Sequence, residues 1–181
     1  MIYTAIAEEK LIDQIVVSHV TLELVSCPAT LWCGVLGFAP NCTDEPDIGA
    51  LLQKYQNLMS VPKKETLNPE WSCAISMHYT KEGAFPRGMM FAQQVAVQEQ
   101  DLRYDVYRMP QSLFIRVQST PENIRSAFGK ENCELYEWFG FIKDSLRQCG
   151  YILAENGAQE IEMYDWTNSV FYAYVPVEAC P

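Results

Sequence analysis

The chain has 181 residues, 49% of them apolar and 20% charged, enough to bury the core of one large domain or of two small fused modules. Its formal net charge is −10 with only 13 basic residues and no basic run, which argues against a phosphate-binding surface, so no direct contact with nucleic acid is expected. No apolar run approaches the length of a membrane span and no signal-peptide pattern opens the chain, so no membrane association is expected either.

In chain order, residues 1–12 read as a lead-in with little pattern. From Gln14 to Ser26 runs a β-rich stretch in which Val20, Leu22 and Leu24 alternate with Thr21 and Glu23, broken by Cys27-Pro28. Leu31 to Phe38 is a second apolar run, ending at the turn-prone Pro40-Asn41. Between Asp47 and Met59, Ile48, Leu51, Leu52, Tyr55, Leu58 and Met59 recur at helical spacing, with acidic residues at the start and Pro62 after the end. Trp71 to Tyr79 and Met89 to Val97 read as strands separated by a turn from Gly83 to Gly88.

The same grammar restarts at Leu102. Leu102 to Met109 is a strand, Pro110 breaks it, and Leu113 to Val117 is the next. Thr120-Pro121 offers an N-cap and a first helical residue for a short helix stopped by Gly129. A longer helix places Leu135, Trp138, Phe139, Ile142, Leu146 and Cys149 on one face and stops at Gly150. Gln159 to Trp166 and Val170 to Val177 close the chain as strands; the first turns Ile161 and Met163 to one side and Glu162 and Tyr164 to the other.

Two stretches repeat. Cys27-Pro28-Ala29-Thr30-Leu31-Trp32 parallels Met109-Pro110-Gln111-Ser112-Leu113-Phe114 at an offset of 82, and Ile75-Ser76-Met77-His78 parallels Ile161-Glu162-Met163-Tyr164 at an offset of 86. The expected fold class is α+β: two β-β-α-β-β modules, about 13–98 and 99–181, related by a pseudo-twofold axis, with helices packed on an antiparallel sheet. In that arrangement Ser76 and His78 are the counterparts of Glu162 and Tyr164, and the four side chains converge on a cleft between the modules, a common place for a ligand.

Arg103-Tyr104-Asp105-Val106 leading into Met109-Pro110, the helix end Cys149-Gly150-Tyr151, the Glu162-x-Tyr164 strand and the closing Tyr174-Val175-Pro176-Val177 together resemble the GyrI-like, or AraC-effector-binding-like, small-molecule binding domains. The resemblance covers most of the chain, most clearly from about 100 to 177. It implies a tandem SHS2-like fold whose central cleft takes bulky, flat, often cationic or aromatic compounds, and a buried glutamate, here Glu162, that meets the positive charge. It also implies three roles: effector domain of a transcription regulator, antagonist of gyrase toxicity, or hydrolase of cyclopropane-bearing alkylating compounds. The sequence departs from the family pattern at Gln118-Ser119-Thr120-Pro121, where a His-x-Gly-Pro-like turn is usual, and lacks a tryptophan one turn before the helix end.

The chemistry of the residues fits a binding site. A desolvated carboxylate such as Glu162 needs a partner, which a cationic ligand supplies with help from aromatic faces; burial would also raise its pKa toward that of a general acid or base. Tyr164 is placed to hydrogen-bond Glu162 or the ligand, or simply to pack with its hydroxyl exposed. Trp71, Tyr104, Trp138, Phe139 and Trp166 are the aromatic candidates for the walls, although Trp138 and Phe139 also suit a core. His78 reads as a proton carrier or a structural residue.

With His19 and His78 the only histidines, no Ser-His-Asp or Cys-His arrangement can be built, no metal-ligand spacing or phosphate-binding loop is present, and no cofactor is expected. Seven scattered cysteines, Cys27, Cys33, Cys42, Cys73, Cys133, Cys149 and Cys180, contain no C-x-x-C pair and read as buried reduced thiols suited to a cytoplasmic protein. No helix-turn-helix is evident, so the expectation is a stand-alone protein that captures flat, lipophilic, cationic or aromatic small molecules. The alternatives are a ring-opening hydrolase using Glu162 and Tyr164, or a protein-interaction modulator such as a gyrase inhibitor.

Overall fold

One strand near the start of each half of the chain hydrogen-bonds to the other half, and this exchange organises the architecture. The computed structural model describes residues 4–41, 44–79, 83 and 86–181. Cys42, the start of the lead-in at 1–3 and parts of the turn between Tyr79 and Gly88 lie outside the described residues. Among the described residues the strands are β1 (Lys10–Val17), β2 (Val20–Cys27), β3 (Thr30–Phe38), β4 (Ser72–Met77) and β5 (Gly88–Val95), followed by β6 (Asp105–Met109), β7 (Ser112–Gln118), β8 (Tyr151–Leu153), β9 (Glu160–Asp165) and β10 (Val170–Ala179). The helices are α1 (Ile48–Asn57), α2 (Pro121–Phe128) and α3 (Glu137–Ser145), with a 3-10 turn at Arg147–Cys149. None of these helices is long and apolar enough to cross a membrane.

The fold class is α+β, with a ten-stranded antiparallel sheet in the order β1-β2-β7-β10-β9-β4-β5-β3-β6 and β8 added beside β10. β2 pairs with β7 and β6 pairs with β3. Both registers agree with the 82-residue offset: Cys27 opposite Ser112 corresponds to Met109 opposite Thr30, and Val25 opposite Phe114 to Tyr107 opposite Trp32. β4 and β9 join the halves, with Ile75 facing Ile161.

Local chemistry accounts for the helix ends. Asp47 caps α1 by accepting from the Ala50 N–H at 2.9 Å, and Thr120 caps α2 by accepting from the Asn123 N–H at 3.2 Å, with Pro121 in the first turn. Gly129 and Gly150 take left-handed conformations, φ 65° and 83°, that end the helical runs.

The stretch read as starting at Gln14 is in fact two strands, and β1 begins inside the expected lead-in. Ser18 and His19 turn the chain between them with φ of 48° and 66°. Asn or Gly normally marks such a turn, so Ser-His gave no signal. Residues 4–9, before β1, also pack on the fold. Ala5 and Ile6 are buried, and Glu9 meets Arg116 at 2.6 Å, an ion pair shared with Glu23 at 2.7 Å.

The helices share one face of the sheet. α1 lies against β3 and β5, while α3 lies against β7 and β10. Beneath α2 and α3, Ile124, Trp138 and Ile142 pack with Ile115, Val117, Ala173 and Val175. The opposite face buries Trp32, Ile75, Met90, Phe114, Ile161, Met163 and Tyr174. The central β4–β9 pair therefore runs between α1 and α3, where it forms the floor of a cleft.

Candidate functional site

Side-chain alternation on β9 sends Ile161 and Met163 into the apolar core of the helix-free face and leaves Glu160, Glu162 and Tyr164 facing the helices. There they line a cleft of about 730 Å³, within the range of pockets that hold drug-sized molecules. The partners directly across the ladder are small: Ala74 stands opposite Glu162 and Ser76 opposite Glu160, which keeps the floor open. Phe91 of β5 extends the floor, Ile48 of α1 lines one side, and Tyr136, just before α3, and Phe139 of α3 line the other.

Glu162 is only 8% exposed and accepts a hydrogen bond from the Tyr164 hydroxyl. No Lys or Arg among the described residues lies within ion-pair distance of it. Burial pushes its carboxyl above the ordinary range. The Tyr164 hydrogen bond draws it partly back, and the nearby charges of Glu134 and Glu160 push it further up. The Tyr164 phenol is raised too, by its own burial and by the adjacent Glu162.

Two other carboxylates line the cleft, and each has a cation. Glu160, 1% exposed, meets the Lys143 ammonium of α3 through Oε1, an atom that has no hydrogen bond of good geometry among the described residues. Burial raises its pKa, and Lys143 opposes the rise. Glu45, before α1, lies 3.0 Å from Arg87 and accepts from the Tyr79 hydroxyl, with the Arg87 guanidinium 5.1 Å from the Tyr79 ring centre. Among the described residues no group of three or more His, Cys, Asp or Glu is placed to hold a metal ion.

Of the residues singled out from the sequence, Glu162, Tyr164, Ser76 and Phe139 come together in this cleft. Trp166, 69% exposed, stacks on Tyr164 with ring centres 5.4 Å apart and so flanks the cleft. His78 lies elsewhere: β4 ends at Met77, and a φ of 67° turns the His78 ring out of the alternation to stack on Phe38 at a separate groove. Its N–H donates to Gln159 Oε1 at 2.7 Å.

Three aromatics are packed away from the cleft. Trp71 lies in the core of the helix-free face beside Tyr172. Trp138 is buried beneath α3 and donates to Ser119 Oγ at 3.0 Å. The Tyr104 hydroxyl sits 2.5 Å and 2.7 Å from the carbonyl oxygens of Leu58 and Val61.

Glu160 and Lys143 are not among the candidate residues singled out from the sequence. Glu160 carried a usable signal, since it precedes Glu162 by two residues and shares its face. Tyr136, Phe139, Gly140 and Lys143 follow the three- and four-residue spacing of one helix face, but a polar end to that stripe reads as solvent-facing until the strand across from it is known.

No family model and no curated protein sequence matches the chain. Solved structures share its fold. The C-terminal domain of EcmrR aligns over 87% of this chain and 97% of its own at 14% identity, TM-score 0.58. A putative bacterial transcription regulation protein from Staphylococcus aureus MU50 aligns over 87% of this chain and 98% of its own at 13% identity, TM-score 0.56. SAV2435 bound to tetraphenylphosphonium aligns over 87% and 93% at 13% identity, TM-score 0.53.

Proposed function

From the fold that this chain shares with the GyrI-like effector-binding domains, we propose that it binds flat or bulky lipophilic cations in the cleft between α1 and α3. One observation carries the reading: Glu162 is a buried carboxylate without a basic partner among the described residues, facing an aromatic-lined cavity of drug-like size. An uncompensated carboxylate in such a place is costly, and a lipophilic cation removes the cost by supplying the missing charge with little desolvation penalty of its own. Tyr136, Phe139, Phe91 and Tyr164 offer the ring faces that add cation–π attraction. The ligand of the SAV2435 complex, tetraphenylphosphonium, has this chemistry.

Calorimetric titration with tetraphenylphosphonium and with its neutral analogue triphenylphosphine oxide tests the proposal. The cation should bind at least tenfold more tightly than the neutral compound, about 1.4 kcal/mol. Glu162→Gln, which keeps the acceptor for Tyr164 while removing the charge, should abolish that preference. Equal affinities in the wild type, or a preference that survives Glu162→Gln, would sink the reading.

A further inference from the structure

Beside Glu162 the cleft holds a second buried carboxylate, Glu160. Glu160 and Glu162 issue from the same face of β9 two residues apart, about 7 Å along the strand. Lys143 reaches Glu160 from α3, so the ion pair bridges the side wall and the floor. Glu45 is matched in the same way by Arg87. Among the described residues three carboxylates thus line the cleft and cations meet two of them, which leaves one negative charge, at Glu162, for a ligand to balance.

We propose that Lys143 is a tethered cation that sets the charge of the ligand, so that the cleft selects lipophilic compounds with a single positive charge and discriminates against those with a second charge near Glu160. This inference rests on the reading of Glu162 as the ligand's counter-ion. A dication would bring its second charge beside the Lys143 ammonium, whose side chain is about two-thirds buried, and like charges repel there. Displacing the ammonium would break an ion pair whose acceptor, Glu160, is buried.

Ethidium and propidium form a matched pair of probes: they share a phenanthridinium ring system, and propidium adds a second, quaternary charge on an alkyl arm. The wild type should bind ethidium about tenfold more tightly than propidium. Lys143→Met should reverse the ratio, because Glu160 then accepts the second charge, and Lys143→Met with Glu160→Gln should restore it. Glu160→Gln alone leaves no further buried carboxylate unpaired beyond Glu162, and so does not depend on how Lys143→Met folds. It should weaken ethidium about tenfold, since Lys143 then adds an unbalanced positive charge.

A propidium-to-ethidium ratio unmoved by Lys143→Met, or ethidium affinity unmoved by Glu160→Gln, while ethidium binding still depends on Glu162, would overturn this inference and leave the binding reading intact. Ethidium binding that is indifferent to Glu162→Gln would overturn both.

Discussion

A carboxylate held ready for a cation is a liability until the cation arrives. Burial raises the Glu162 pKa, so between the ordinary carboxylate value of the unfolded chain and the raised value of the folded one, the folded state holds the extra proton. Stability therefore falls as pH rises through that window. Glu162→Gln removes this contribution and should stabilise the empty protein at pH 8 by about 0.5–2 kcal/mol, with little change at pH 4. Glu9 and Glu160 are raised by burial as well, so the quantity to read is the wild-type minus variant difference in denaturation free energy across pH. A difference that does not grow between pH 4 and pH 8 would remove Glu162 from the list of costly groups. The affinity for a permanent cation should rise through the same window, because the ionised form is the one that binds.

At the scale of elements, backbone approach sets the harshest constraint. β3 and β5 meet so closely at Gly34 that a Cβ there would fall 1.8 Å from the Phe91 carbonyl oxygen and 2.7 Å from the Ala92 Cα. Gly34→Ala should cost more than about 4 kcal/mol, placing it among the exceptional substitutions. Gly140, in the interior of α3 with nothing within 4 Å of its would-be Cβ, should instead gain up to about 1 kcal/mol as Ala. Chemical denaturation of the two variants checks the contrast, and a folded, near-wild-type Gly34→Ala would contradict the β3–β5 register.

The elements also show what a sequence can reveal. The β9 alternation, the Thr120-Pro121 start and the Gly129 and Gly150 stops rest on local rules of side-chain period and backbone conformation, and they appear where those rules place them. The hairpin turn at Ser18-His19 and the three-residue β8 were not legible, one because its residues are atypical and the other because three residues carry no period. Within the cleft, Glu162, Tyr164 and Ser76 follow from alternation. The aromatic walls do not, because Trp71, Tyr104 and Trp138 look alike to Phe139 until the packing of each face is known. Lys143 depends on where α3 settles relative to β9, a tertiary fact with no local signal.

At the scale of the whole molecule, the shared 82-residue offset of the β2–β7 and β6–β3 registers supports reading the chain as two modules that exchange the strands β2 and β6. Such an exchange makes each half incomplete, since β3 and β7 each take a neighbour from the other half. Residues 1–98 and 99–181 prepared separately should each be unfolded by circular dichroism and should gain structure on mixing. A cooperative thermal transition in either half alone would contradict the exchange. The same architecture explains where the cleft lies. α1 belongs to one half and α3 to the other, and the junction strands β4 and β9 form the floor between them.

The most direct measurement is a crystal structure of the complex with tetraphenylphosphonium. The phosphonium should lie over the β4–β9 floor between Phe139 and Ile48, with the Glu162 carboxylate as the nearest negative charge and Lys143 still on Glu160. Density for the cation at the His78–Phe38 groove or on the helix-free face, with the cleft empty, would contradict it.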